Sequence, residues 1–125
     1  MIAIDSSALI TYLAGGRGAA VDAVDVALGE QQACLPPVVL TELTSDPGLD
    51  AEIAALFRSL PLLEIRDGYW QRAGELHAGV LARGGKARLA DTLVAQSCLD
   101  HDVPLITLDR DFRTFVREAG LRLLP

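Results

Sequence analysis

Two apolar patterns alternate along this chain. Short unbroken apolar runs predict buried strands at Met1 to Ile4, Ala33 to Leu35, Leu62 to Ile65, Pro104 to Leu108 and Leu121 to Leu124. Between them, apolar residues recur at the three-to-four spacing of one helix face. The first helix carries Ala8, Leu9, Ile10, Tyr12 and Leu13, and either Ser6 or Ser7 is suited to cap it. The second spans Ala19 to Leu28 and stops at Gly29. A third, Val38 to Thr44, is entered through Pro36-Pro37, and a fourth runs from Asp50 to Pro61 with Ile53, Leu56, Phe57 and Leu60 on one face. The longest, Gly68 to Arg83, is predicted to be capped by Asp67. Its stripe is Tyr69, Ala73, Leu76 and Val80, with Trp70 and Leu81 beside it. Leu89 to Asp100 follows, with Ala90, Leu93, Val94, Ser97 and Cys98 on its apolar face. The last helix is Phe112 to Ala119, stopped by Gly120. Strands alternating with helices from end to end predict an α/β fold: a three-layer α/β/α sandwich around a mostly parallel central sheet, one domain over residues 1–125.

Composition narrows the classes. Half of the 125 residues are apolar, which argues against disorder. No apolar run approaches the roughly 18 residues of a membrane span, and the N-terminus lacks a signal-peptide pattern, so the expected location is cytoplasmic and no membrane partner is expected. Cys34 and Cys98 form no C-x-x-C pair and read as buried thiols. The formal net charge of −6 argues against non-specific nucleic-acid binding through overall charge. It leaves room for a local basic rim: Arg83, Lys86 and Arg88 precede Asp91, and Arg110 and Arg113 flank Asp111.

Four acids stand where a solvated surface charge is not the obvious reading. Asp5 ends the first strand and Asp109 ends the Leu105–Leu108 run. If those strands are neighbours, both carboxylates emerge at the carboxyl end of the sheet, where α/β sites form. Glu42 follows Val38 and Val39 on its helix, and Asp91 opens a helix whose next turns carry Ala95 and Cys98. Taken singly, each has an ordinary explanation as a turn residue, a helix-dipole partner or a boundary side chain. Taken together they do not, because two carboxylates ~4 Å apart repel by about 4 kcal/mol at an effective dielectric near 20. No Lys or His is placed to compensate, and neither His77 nor His101 has a partner at ligand spacing. An all-oxygen set of this kind suits Mg²⁺ or Mn²⁺, and with it phosphoryl chemistry.

The segments around these acids resemble a known family. Ile4-Asp5-Ser6-Ser7-Ala8-Leu9-Ile10 is similar to the opening of PIN-domain nucleases, and Thr41-Glu42-Leu43 to their second acidic position. Leu89-Ala90-Asp91-Thr92-Leu93-Val94-Ala95 resembles the third. Leu105-Ile106-Thr107-Leu108-Asp109-Arg110-Asp111-Phe112 resembles their Thr-x-Asp-x-Asp-Phe segment. The compact form is similar to VapC-like toxins of toxin–antitoxin pairs. The resemblance implies a Mg²⁺- or Mn²⁺-dependent endoribonuclease acting on cellular RNA, with Asp5, Glu42, Asp91 and Asp109 forming the acidic pocket. It implies Asp5, Asp91 and Asp109 as metal ligands and Asp111 assisting through water. Ser6 and Thr107 would orient carboxylates, and Arg88 and Arg110 would contact RNA phosphates. It also implies a homodimer and a small antitoxin whose C-terminal segment wraps the toxin and blocks the site. Two alternatives are a catalytically silent interaction module of the same fold and a phosphoacceptor receiver domain. The latter lacks paired acids after the first strand and a suitably placed lysine.

Overall fold

In the computed structural model, which describes residues 1–125, four short strands form one parallel sheet in the order β2-β1-β3-β4. They are β1 (Ile2–Ile4), β2 (Ala33–Cys34), β3 (Leu105–Ile106) and β4 (Leu123–Leu124). The helices are α1 (Ser6–Leu13), α2 (Ala19–Gly29), α3 (Pro37–Thr44), α4 (Ala51–Ser59), α5 (Tyr69–Ala82), α6 (Leu89–His101) and α7 (Arg113–Ala119). The whole is the expected three-layer α/β/α sandwich. The pairing of Ala3 with Leu105 and Ile4 with Ile106 puts β1 and β3 side by side at the centre. Ala3, Ile4, Leu105 and Ile106 are fully buried, as unbroken apolar runs covered on both faces should be. The Asp5 N–H extends the ladder by donating to the Ile106 carbonyl at 2.9 Å, so Asp5 leaves β1 beside the end of β3.

Several local expectations need correction. Leu62 to Ile65 is not a strand; Leu62 makes a single parallel bridge to Leu35 at the sheet margin. Neither Ser6 nor Ser7 caps α1. Asp5 holds the N-cap position and its side chain makes no capping bond there, because its carboxylate is engaged elsewhere. Asp67 does not cap α5 with its side chain. Gly68 occupies the N-cap with φ +82, and the Asp67 carbonyl instead accepts from Arg72 Nη1 at 2.7 Å. A Cβ at residue 68 would stand 2.6 Å from that guanidinium, so glycine serves both the left-handed turn and the approach of Arg72. Trp70 is 61% exposed rather than core. Its neighbour Tyr69 takes the buried position and donates its hydroxyl to the Leu93 carbonyl at 2.6 Å, and a T-shaped contact leaves the indole outside. Residues 110–112 form a 3₁₀ turn before α7.

The helix α6 is buried on more sides than its stripe predicts. Thr92, Val94, Ala95, Gln96, Ser97 and Cys98 are all buried, because α6 lies among α3, α5 and α7. Its packing puts Asp91 at the sheet's carboxyl end and Asp100 at the far end against α5. Cys34 and Cys98 are free and buried. Burial pushes both thiols up, so neither is a nucleophile at neutral pH.

Candidate active site

The site is assembled from the ends of β1 and β3 and the first turn of α6. Asp5 is 5% exposed, a carboxylate taken almost wholly out of water. Its Oδ2 accepts two hydrogen bonds, from Ser7 Oγ and Thr107 Oγ1, each at 2.8 Å. Both hydroxyls are tied down in turn. Ser7 Oγ accepts from the Leu108 N–H at 3.1 Å, and Thr107 Oγ1 accepts from the Asp109 N–H at 3.0 Å. This small network fixes the Asp5 side chain, and its bonds all go to one oxygen, leaving Oδ1 unengaged. It also stitches the loop after β3 to the start of α1. Thr107 is therefore placed as the sequence suggests, whereas Ser7, not Ser6, is the serine that reaches Asp5. The signal for it was spacing, since a hydroxyl two residues after an Asp sits within local side-chain reach.

Asp91 lies in the first turn of α6, where the helix dipole favours an anion. That favour does not compensate its surroundings. Its Oδ2 is buried and has no hydrogen-bond partner. Burial, and then the charges of Asp109, Asp5 and Glu42, push its pKa up to about 6, against a small opposing effect of Arg88. Carboxylate oxygens of Asp91, Asp109 and Asp111 lie within 4.8 Å of one another. Asp109 Oδ1 accepts from the Asp111 N–H at 2.9 Å, which closes the 3₁₀ turn and turns both acids toward Asp91. The structure thus brings Asp111 into the tight group alongside Asp91 and Asp109. Asp5 joins through its field on Asp91. Glu42 stands further out: it is exposed on α3, yet partial burial of its carboxyl and the charge of Asp5 raise its pKa.

Whether these residues fit a divalent cation can be tested on the donors themselves. Opposite oxygens around one Mg²⁺ are about 4 Å apart, only slightly less than the spread of the three aspartates. Every donor is a carboxylate oxygen, and one is buried without a partner, which is costly unless a cation meets it. The set fits. His77 and His101 are not in it; each bonds a backbone carbonyl, of Ala87 and Glu64 respectively.

Basic side chains rim the cluster on two sides. Lys86, Ala87 and Arg88 line a hollow of about 320 Å³ together with Asp111. Arg110 and Arg113 line another, about 220 Å³, with Thr107, Leu108 and Asp109. Arg83 does not join the rim, because it pairs with Glu118 at 2.8 Å.

The family profile described as PIN domain matches residues 2–118. The chain belongs to the PIN domain family. That membership sets aside the receiver-domain alternative. Among solved structures, VapBC-5 from Mycobacterium tuberculosis, a member of the VapBC family of toxin–antitoxin systems, is similar at TM-score 0.67. Its sequence identity is 19%, over 98% of this chain and 96% of that one. VapBC2 from Rickettsia felis, bound to a DNA fragment from their promoter, is similar at TM-score 0.70 and 15% identity, over 98% and 97%. At such identities the likeness is one of fold. No curated protein matches the chain. No helix is long and apolar enough to cross a membrane.

Proposed function

We propose that this PIN domain is a Mg²⁺- or Mn²⁺-dependent endoribonuclease and the toxin of a toxin–antitoxin pair, with residues 1–125 acting as one catalytic unit. The observation that carries the reading is the Asp91 carboxylate, with a buried, unpartnered Oδ2, crowded by other acids at the carboxyl end of a parallel sheet. Gathering carboxylates in this way is costly, and a bound cation offsets the cost.

Asp91, Asp109 and Asp111 would hold the metal, with Asp5 Oδ1 available beside them. When bound, the cation supplies positive charge that orients the scissile phosphate and offsets charge developing on the leaving oxygen. The remaining work belongs to the chain. Ser7 and Thr107 hold Asp5 in one rotamer, so the site pays no reorganisation when substrate arrives. Glu42, with its raised pKa and exposed position, is suited to take the proton of an attacking water. The water oxygen bonds to phosphorus, the phosphoester bond to the leaving ribose oxygen breaks, and that oxygen takes up a proton. Arg88 and Arg110 contact the flanking phosphates, offsetting a net charge of −6 where RNA must approach. The VapBC likeness supports a cognate antitoxin as the partner; a homodimeric toxin acting in the cytoplasm belongs to the same proposal.

The test is cleavage of RNA by the purified protein with Mn²⁺, with EDTA, and in Asp5→Asn and Asp91→Asn. Cleavage that needs the metal and falls by at least about 10²-fold in both variants, with circular dichroism unchanged, supports the reading. A variant that cleaves like wild type overturns the site.

A further inference from the structure

Beyond the acidic cluster and Arg110, a surface continues along α7 and β4. The hollow at Asp109 and Arg110 shares Arg113, Leu123 and Leu124 with a larger one of about 860 Å³. The two form one furrow along the free edge of the sheet. Parallel pairing of Leu105 with Leu123 and Ile106 with Leu124 sets its direction: the Leu124 end adjoins the acids, and the Pro104 and Arg122 end lies away from them. One wall is β4. The other is α7, which presents Arg113, Val116 and Arg117 at i, i+3 and i+4, and therefore on one face.

The charge of this furrow is opposite to that of the chain. Residues 110–125 hold four arginines and only two acids, within a protein of net charge −6. Both acids are diverted: Asp111 belongs to the cluster, and Glu118 is held by Arg83. Arg110 and Arg113 form no ion pair, and Arg117 bonds only the Thr114 hydroxyl. Arg122 reaches Asp102 at 3.2 Å, but that carboxylate is 93% exposed and neutralises little. Three exposed guanidinium groups without acidic partners follow one another away from the acids, over a floor that includes Val116 and Leu124.

We infer that this furrow carries the RNA strand on one side of the scissile phosphate, with Arg113 and Arg117 gripping successive phosphates beyond Arg110. The inference rests on the nuclease reading above. Cβ atoms at i and i+4 are about 5–6 Å apart, near one nucleotide step of an extended single strand. The apolar floor suits the flat faces of sequence-tolerant bases, and guanidinium suits phosphate better than any other side chain. The edge of β4 is also open to a peptide strand, but a rim of arginines without acidic partners, continuous with the candidate phosphodiester site, favours the polyanion.

The experiment is salt-dependent binding of a random single-stranded RNA pool to Asp91→Asn, which binds without cutting. The same is measured for Asp91→Asn carrying Arg113→Ala and Arg117→Ala, and for Asp91→Asn carrying Arg58→Ala as a distant arginine control on α4, compared per charge removed. Loss of the two furrow arginines is expected to weaken binding on the order of tenfold at about 0.1 M salt, and to flatten the log–log salt slope by about 0.7 per arginine. Arg58→Ala is expected to do neither. Unchanged slope and affinity in the double variant overturn the furrow, as does failure of Asp91→Asn itself to bind the pool. So does a double variant that keeps RNA affinity but loses binding of a polyglutamate peptide, since that marks a protein-docking edge. Metal-dependent cleavage of the same pool by wild type is scored separately. If it persists while the furrow variants bind normally, the nuclease reading stands without the furrow; if wild type cleaves nothing, the nuclease reading falls with it.

Discussion

The two ends of α6 carry one aspartate each, in opposite circumstances. Asp100, with 8% of its side chain exposed, accepts from Arg72 Nη2 at 2.6 Å, Arg72 Nε at 3.0 Å and Gln96 Nε2 at 2.8 Å. The Arg72 bonds hold its pKa below the usual range. Asp91 has a buried oxygen with no partner and a pKa pushed up to about 6. Asp100 is a finished structural joint between α5 and α6, reinforced by the Asp67 carbonyl on the same guanidinium. Asp91 is a carboxylate that its neighbours leave without a counter-charge or a donor on its buried oxygen. The difference teaches that an acid on a buried helix signals function when its neighbours fail to complete it, since removal from water is tolerable only with a counter-charge.

The sharpest way to break this comparison is to remove the charge or its partner at each end. Arg72→Ala leaves Asp100 without its cation and should lower unfolding free energy by about 1–3 kcal/mol in urea titrations. The upper end is softened because Arg72 is itself 40% exposed. Its response to Mn²⁺ should stay that of wild type. If Arg72→Ala is neutral, Asp100 is no joint.

Asp91→Asn should do the reverse, raising the metal-free melting point and losing most of the Mn²⁺-induced rise seen in wild type. The same carboxyl predicts a pH dependence. Its folded pKa lies above the ordinary carboxylate value, so between about pH 4 and 6 the folded chain binds more protons than the unfolded one. Metal-free stability contributed by this group therefore falls as pH rises through that window, by about 3 kcal/mol from the shift alone and by less, on the order of 2 kcal/mol, because solvent screens a half-buried carboxyl. Asp100 acts oppositely, since its depressed pKa contributes stability that is lost as pH falls below the ordinary carboxylate range. Melts across pH in wild type and Asp91→Asn isolate the first contribution as their difference. A wild type whose pH slope matches the variant's would mean that Asp91 is not destabilised by its neighbours.

The smallest effects sharpen the role of the hydroxyls. Thr107→Val should cost roughly 10-fold in metal affinity or cleavage, since it frees the Asp5 carboxylate without removing it. Ser7→Ala should do the same and Ser6→Ala nothing, so equal losses at Ser6 and Ser7 would contradict the hydrogen-bond network.

The sequence by itself determined the alternation of strands and helices, because apolar periodicity is local and each run is long enough to reveal its period. It also put Asp5 and Asp109 after two unbroken apolar runs, and they emerge together because β1 and β3 pair in the structure. Asp91 and Glu42 were legible from their place on otherwise apolar helix faces. What only the tertiary structure decided is which oxygens meet. Ser7 rather than Ser6 reaches Asp5, because α1 starts at residue 6 and its first turn aims that hydroxyl back at β1. Asp111 joins Asp91 and Asp109 because a 3₁₀ turn, and not a continuous helix, follows Asp109. Trp70 lies outside because Tyr69 takes the buried position and bonds the Leu93 carbonyl. The role of Asp100 was equally hidden, because its partner Arg72 is 28 residues away. A sequence records the period of a helix and the end of a strand; distances of a few ångströms between remote side chains are set by packing, and the chemistry depends on those.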